Sequence, residues 1–272
     1  MSDALAQRVR VEVEGTVQGV GFRPFIYRLA HKLGLTGWVQ NTRNGVLIEA
    51  EGGVPVVEMF LQRMRANAPP SASVETMNTT VVPVLDDAGF SVNESAESGQ
   101  RVLVIPPDLA TCADCQRELA DPYDRRFRYP FLTCTQCGPR YSLLTAIPYE
   151  RSHTTMAGFE LCSACAAEYG AETNRRFHVE SIACHTCGPR LCLWNEQGRE
   201  VADGDEALQR AVSLLEQGLV VVVKGLGGFQ LWVDARSQDA VQRLRNRKRR
   251  SDKPSRCCSR PSRRSEVIAC CP

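Results

Sequence analysis

The sequence predicts an α+β protein in three parts: a small α+β domain, two copies of a four-cysteine metal module, and the opening of an α/β domain. Three observations carry this. Residues 8–93 alternate strand-like and helix-like apolar periods in a fixed order. Residues 112–140 repeat as residues 162–190, with all four cysteines kept. From Asp203 an amphipathic helix, an apolar strand, a glycine-rich turn and a basic helix follow one another.

Composition bounds the reading. A chain of 272 residues has room for two or three domains. With 43% hydrophobic and 24% charged residues it falls in the ordinary globular range, away from low-complexity or fibrous chains. No apolar run approaches the ~18 residues of a membrane span. Met1–Arg10 is polar and charged, without the apolar core of a signal peptide, so a cytoplasmic protein without membrane partners is expected. The 13 cysteines then read as metal ligands rather than disulfides.

The first domain is expected over residues 8–93. Arg8–Val17 alternates apolar and polar residues as a half-buried strand does. A glycine-containing turn leads to a helix over Pro24–Leu35, with Phe25, Leu29, Ala30 and Leu33 at helical spacing and Pro24 in a first turn. Gly37–Asn41 and Gly45–Gly52 read as strands joined by a tight turn at Thr42–Asn44. A second helix follows from Val54, with Val56, Phe60, Leu61 and Met64 on one face, and Val74–Val84 and Phe90–Val92 supply the last strand material. The order βαββαβ is that of a ferredoxin-like sandwich, two helices on one face of an antiparallel sheet. Asn93–Gln100 is polar and aperiodic and reads as a linker.

Residues 106–193 form the expected metal region. Cys112 and Cys115, then Cys134 and Cys137, have 18 residues between the pairs; Cys162, Cys165, Cys184 and Cys187 repeat the spacing. Each CxxC can grip one ion in a knuckle, and two knuckles complete a tetrahedral thiolate site. Soft thiolates favour zinc, so two structural Zn²⁺ ions are expected. The spacing leaves pairing within or across the repeats open, and one site within each repeat is assumed. Redox-active pairs or disulfides are the alternatives; four tandem redox motifs would be odd, and disulfides conflict with a reducing compartment. The repeats also share Arg-Arg-Phe (Arg125–Phe127, Arg175–Phe177) and Gly-Pro-Arg after the last cysteine. His178 and His185 read as bystanders to the second site.

The chemistry-bearing motif of the first domain is GTVQGVGFR, Gly15–Arg23, between strand and helix. Glycines 19 and 21 let backbone N–H groups converge at a helix N-terminus, an anion cradle. Arg23 adds a charge able to grip two phosphate oxygens. This loop and GWVQNTRNGVLIEAEG (Gly37–Gly52) resemble the two signatures of the acylphosphatase family. The resemblance implies hydrolysis of a carboxyl-phosphate anhydride, with Val17, Gln18, Gly19, Val20, Gly21, Phe22 and Arg23 binding the phosphoryl group and Asn41 orienting the attacking water.

An acylphosphatase domain followed by two such zinc modules resembles the N-terminal region of the HypF family, carbamoyltransferases of nickel–iron hydrogenase maturation. VVVVKGLGGFQLWVDA and RNRKRRSDKP resemble the start of that family's YrdC/Sua5-type nucleotide-binding domain, here expected over 203–254. The resemblance places nucleotide phosphates on Lys248, Arg250 and Lys253, with Lys224 a weaker candidate; a solvated helix face is the alternative. It implies carbamoyl phosphate and ATP as substrates and carbamoyl transfer to the C-terminal cysteine of a HypE-type partner, a step in cyanide ligand synthesis. After Pro254 the family's apolar strand gives way to an Arg/Cys/Ser-rich tail, 255–272, expected to be aberrant and unfolded. A truncated or frameshifted chain limited to acyl phosphate hydrolysis is the corresponding expectation.

The charge balance raises a competing function. The net charge is +2, yet Arg243–Arg264 carries nine Arg and two Lys against one Asp. A zinc-ribbon module binding nucleic acid through that run, with an inactive first domain, is the alternative. The basic residues lie outside the cysteine repeats with few aromatics beside them, so no nucleic-acid partner is expected.

Overall fold

The computed structural model describes residues 6–95 and 105–249. Arg250, Lys253, the tail 255–272 and most of the expected linker lie outside the described residues. The chain divides into two compact units, Met1–Pro189 and Arg190–Pro272.

The first unit opens with β1 (Ala6–Thr16), α1 (Phe22–Leu33), β2 (Thr36–Asn41), β3 (Gly45–Gly53), α2 (Val54–Ala66), β4 (Ser73–Val82) and β5 (Phe90–Val92). The strands form one sheet in the order β4-β1-β3-β2-β5. All neighbours are antiparallel except β5, which lies parallel to β2. The expected all-antiparallel sheet therefore gains one parallel edge, because the chain crosses the sheet after β4 instead of turning back beside it.

Period two decides what faces the helices. Val9, Val11 and Val13 of β1 are buried, as are Val39 of β2 and Ile48 of β3. They pack with Ile26, Leu29 and Ala30 of α1 and Val57, Phe60 and Met64 of α2. Here the sequence pattern was offset: Val57 is inside, while Val56, Leu61, Phe25 and Leu33 are only partly buried. Helix α1 also starts two residues before the expected Pro24, at Phe22. Gly15 makes a bulge in β1 at φ 118°, where an added Cβ would sit 2.2 Å from the Ser73 carbonyl oxygen. Only glycine admits that close approach.

The other sheet face holds a buried ionic cluster that alternation alone assigns to solvent. Arg8 is 1% exposed. It donates to Glu49 (2.8 Å), Glu51 (2.9 Å) and Asp87 (2.7 Å). The segment after β4 covers the cluster, and the N–H groups of Leu85 and Asp86 donate to Glu51. Burial pushes the Glu51 carboxyl up, but these donors and Arg8 outweigh it and hold it below the usual carboxylate range.

The cysteine repeats belong to the same unit. Each begins with a short helix, α3 (Ala113–Ala120) or α4 (Ser163–Gly170), preceded directly by the first cysteine, Cys112 or Cys162. A turn built on Asp124 or Asn174 follows, its side chain accepting from the N–H of Arg126 or Arg176. Each repeat closes on a knuckle carrying the second cysteine pair. Each module is thus built of helix plus knuckle, with isolated β-bridges at Leu109–Gly138 and Cys134–Cys137 in the first.

In the second unit, β6 (Cys192–Trp194) and β7 (Glu200–Asp203) form a hairpin, followed by α5 (Gly204–Glu216). The apolar run expected as one strand is β8 (Val221–Gly225), folded back onto β9 (Gly228–Trp232). Helix α6 (Gln238–Lys248) follows, capped by Ser237 accepting from the Ala240 N–H. Ala207, Val221, Ala240 and Leu244 are buried, while Leu226 and Phe229 at the hairpin end are exposed.

Candidate functional site

The loop between β1 and α1 places Gly19 and Gly21 in the left-handed region, at φ 70° and 78°. That conformation aims N–H groups across the start of α1. Val17, Val20 and Phe22 bury their side chains in the core, so they can offer only backbone to a ligand. Gln18 ties the loop down: its Nε2 donates to the carbonyls of Thr42 (2.7 Å) and Gly45 (2.6 Å), and its Oε1 accepts from the Tyr149 N–H (2.8 Å). Its side chain is therefore committed to structure.

Arg23, in the first turn of α1, is 7% exposed. Asn41 ends β2 as the third inward residue of the row Gly37, Val39, Asn41. The two converge on one acceptor. The Tyr149 carbonyl oxygen receives Asn41 Nδ2 at 3.0 Å and Arg23 Nη2 at 3.4 Å. Asn41 Oδ1 is buried without a hydrogen-bond partner and is available to a ligand or water.

The far wall comes from the cysteine region, and sequence reasoning missed it. Glu180 Oε1 accepts from Arg23 Nη2 at 2.6 Å, and Glu150 Oε1 lies 3.4 Å from Nη1. Arg140, in the Gly-Pro-Arg that the two repeats share, donates from Nε to the Gly19 carbonyl and from its guanidinium ends to the carbonyls of Cys134, Thr135, Cys137 and Pro139. Arg140, Tyr149, Glu180, His178 and Ser181 enclose, with Arg23 and Asn41, a cavity of about 30 Å³ over the loop. That is space for water-sized occupants. Burial, then the charge of Arg23, holds His178 down at about 4, so its ring is neutral near pH 7. Burial pushes the Glu180 carboxyl up, opposed by Arg23. One signal in the sequence pointed to Glu180: at the matching position of the first repeat stands Pro130, so the copies diverge there from an apolar residue to a charge.

The eight cysteines assemble as two separate clusters, Cys112, Cys115, Cys134, Cys137 and Cys162, Cys165, Cys184, Cys187, each within one repeat. Neighbouring sulfurs stand 3.4–3.8 Å apart. A tetrahedron of metal–sulfur bonds near 2.3 Å requires about 3.8 Å between sulfurs, whereas a disulfide requires ~2.05 Å. The donor set thus fits one metal per cluster. Knuckle N–H groups of Gln136 and Thr186 donate to Cys134 and Cys184. His185 instead bonds the Phe127 carbonyl oxygen, and His178 packs on Tyr169 and Phe177. Neither joins a cluster.

The nucleotide candidates are less assembled. Lys224 lies on β8 and Lys248 at the end of α6; both are exposed, and among the described residues neither forms an ion pair. No helix among the described residues is long and apolar enough to cross a membrane.

Comparison with known proteins places these features. Residues 9–92 match the acylphosphatase family, residues 111–144 and 161–194 the HypF finger, and residues 213–268 the family described as telomere recombination. An acylphosphatase of Bordetella parapertussis is 46% identical over 79 residues, 82% of its own length. The fold and loop thus define an acylphosphatase-family domain joined to paired cysteine fingers. Over 250 residues the chain is 50% identical to carbamoyltransferase HypF of Synechocystis, and over 249 residues 54% identical to HypF2 of Cupriavidus necator, matching 92% and 91% of its own residues and 32% and 31% of theirs. A crystal structure of full-length HypF in a phosphate- and nucleotide-bound form superposes with TM-score 0.83 at 38% identity, covering 92% of this chain and 32% of that one. Residues 9–92 thus belong to the acylphosphatase family, and over most of its length the chain is similar to HypF carbamoyltransferases, spanning about a third of the length of those relatives.

Proposed function

We propose that this chain carries the acyl-phosphate-hydrolysing part of a HypF-type carbamoyltransferase, with carbamoyl phosphate as substrate. The observation that carries the reading is the convergence of Arg23 and Asn41 on one carbonyl beside a left-handed glycine loop at the start of α1. Arg23 and the loop N–H groups hold the phosphoryl oxygens, and Asn41 Oδ1 orients a water. Water adds to the phosphoryl group, the anhydride bond breaks, and carbamate leaves with its electron pair. The leaving group is already good, so positioning and charge stabilisation suffice.

The metal in each finger is zinc, held by Cys112, Cys115, Cys134 and Cys137 or by Cys162, Cys165, Cys184 and Cys187. Four thiolates fill its coordination and leave it a structural role. In the complete reaction carbamate would react with ATP at a site that includes Lys224, Lys248, Arg250 and Lys253, and the carbamoyl group would pass to a HypE-type partner in the cytoplasm. The nucleic-acid alternative draws support from the basic run of α6 alone, because the finger arginines Arg125, Arg126, Arg175 and Arg176 are turned to carboxylates and thiolates.

Phosphate release from carbamoyl phosphate, compared between this chain and Arg23→Ala, tests the reading. Release that is lost in the variant is the expected result. Equal release from both, or none from a folded, metal-loaded sample, would remove it.

A further inference from the structure

We propose that Glu180 of the second finger is a positioning residue for the phosphate-gripping guanidinium of Arg23, so that the finger completes the acylphosphatase-type site. The proposal rests on the reading of Arg23 given above and deepens it.

Arg23 is a long side chain with several rotatable bonds, and a guanidinium binds an anion well only when its fork is already oriented. Nothing within residues 9–92 supplies that orientation; the partners of the guanidinium are Glu180, Glu150 and the Tyr149 carbonyl, all from the finger region. Glu180 is itself fixed. It is 3% exposed, and while Oε1 takes Arg23, its Oε2 accepts from the Arg151 N–H and the Tyr169 hydroxyl, each at 3.1 Å. A carboxylate anchored at both oxygens is a strut, not a swinging lid.

The finger is also docked on α1, which carries Arg23. Tyr27 donates to Glu172 at 2.7 Å, Arg28 donates to the Glu172 carbonyl oxygen at 2.7 Å, and the Tyr27 ring packs on Phe177. Glu180 engages one edge of the guanidinium through Nη2, and no acceptor among the described residues engages Nε, which leaves that edge for a phosphoryl oxygen.

Glu180 also places a negative charge beside the anion site. It therefore weakens resting phosphate binding while preserving orientation for reaction. Removing it should lower kcat and, in the opposite sense, tighten inhibition by inorganic phosphate. A residue that only held the fold together would not move those two quantities apart.

The test measures kcat, KM and inhibition by inorganic phosphate for carbamoyl phosphate hydrolysis in the intact chain and in Glu180→Ala, Glu180→Gln and Arg23→Ala. The expected result is a kcat loss of roughly 10- to 100-fold in Glu180→Ala with a lower inhibition constant for phosphate. Glu180→Gln, which keeps an acceptor oxygen in place, should recover to within about threefold of the parent. Should Glu180→Ala not fold, Glu180→Asp, which withdraws the carboxylate by one methylene, carries the test through the same loss of kcat. A kcat unchanged or raised on losing Glu180, with Arg23→Ala inactive, would overturn the positioning role and leave the site reading intact. An active Arg23→Ala would overturn the site reading itself.

Discussion

Arg125 of the first cysteine repeat hydrogen-bonds the sulfur of Cys165 in the second, Nη2 to Sγ at 3.1 Å. The second repeat returns the contact, Arg175 Nη2 to Cys115 Sγ at 3.1 Å. Each arginine is seated by the acidic residue of the partner helix, Arg125 by Glu168 and Arg175 by Glu118. The shared Arg-Arg-Phe triplet thus supports the other copy's metal cluster rather than its own. Donors to thiolates spread their negative charge, and such outer partners typically change metal affinity 10- to 100-fold.

The first prediction follows from that exchange. Arg175→Ala should weaken metal at Cys112, Cys115, Cys134 and Cys137 by about 10- to 100-fold and leave the cluster of its own repeat near its parental affinity. Chelator competition with metal counted per chain checks this. Equal weakening of both clusters would instead point to general loss of the fold.

Metal removal should silence the proposed hydrolytic site at Arg23 and Asn41. Tyr149, Glu150 and Glu180, which form its far wall, hang on the framework the clusters hold, and small metal modules lose structure with their ion. Stripping metal should abolish Arg23-dependent phosphate release and reloading should restore it. Full release from verified metal-free protein would uncouple the two.

Arg8 neutralises Glu49 and Glu51 under the segment after β4. Arg8→Met would strip buried Glu51 of its ion-pair partner and leave Glu49 with Arg10 alone, a change that costs about 3–5 kcal/mol. Urea unfolding followed by circular dichroism measures it. A loss below ~1 kcal/mol would mean that solvent reaches the cluster.

Glu51 also sets an acid limit. Its folded pKa is depressed, so its contribution is present above the unfolded value of about 4.3 and is lost as pH falls through the lower folded value. Stability should therefore decline across that acid window, and Glu51→Gln should flatten the decline while lowering stability at pH 7. An unchanged pH profile in the variant would assign the decline elsewhere.

Much of the molecule was legible in its residues. Strand alternation and helical periods gave the order of β1, α1, β2, β3, α2 and β4 because burial on one face writes itself at short range. The loop Gly19–Arg23 and the CxxC pairs were legible for the same reason: a left-handed turn and a metal knuckle are built from residues within a few positions of each other. Asn41 was singled out by the resemblance of Gly37–Gly52 to a family signature, and it closes β2. Other features left little local trace. Arg8 reads as a solvent-facing strand residue until the segment at Leu85–Asp87 folds over it. Val57, rather than Val56, is inside because the start of α2 sets its rotation against the sheet.

What the sequence determined, then, is every element whose cause lies within one turn, one knuckle or one strand period, together with the identity of the ligating sulfurs. The tertiary structure alone decided which cysteines share a cluster, that arginines cross between repeats, and that Glu180 closes on Arg23 from 157 positions away. The physical reason is that a side chain's partner at long range is fixed by how whole elements dock, and docking depends on the summed burial of many residues rather than on any motif that the paired residues carry.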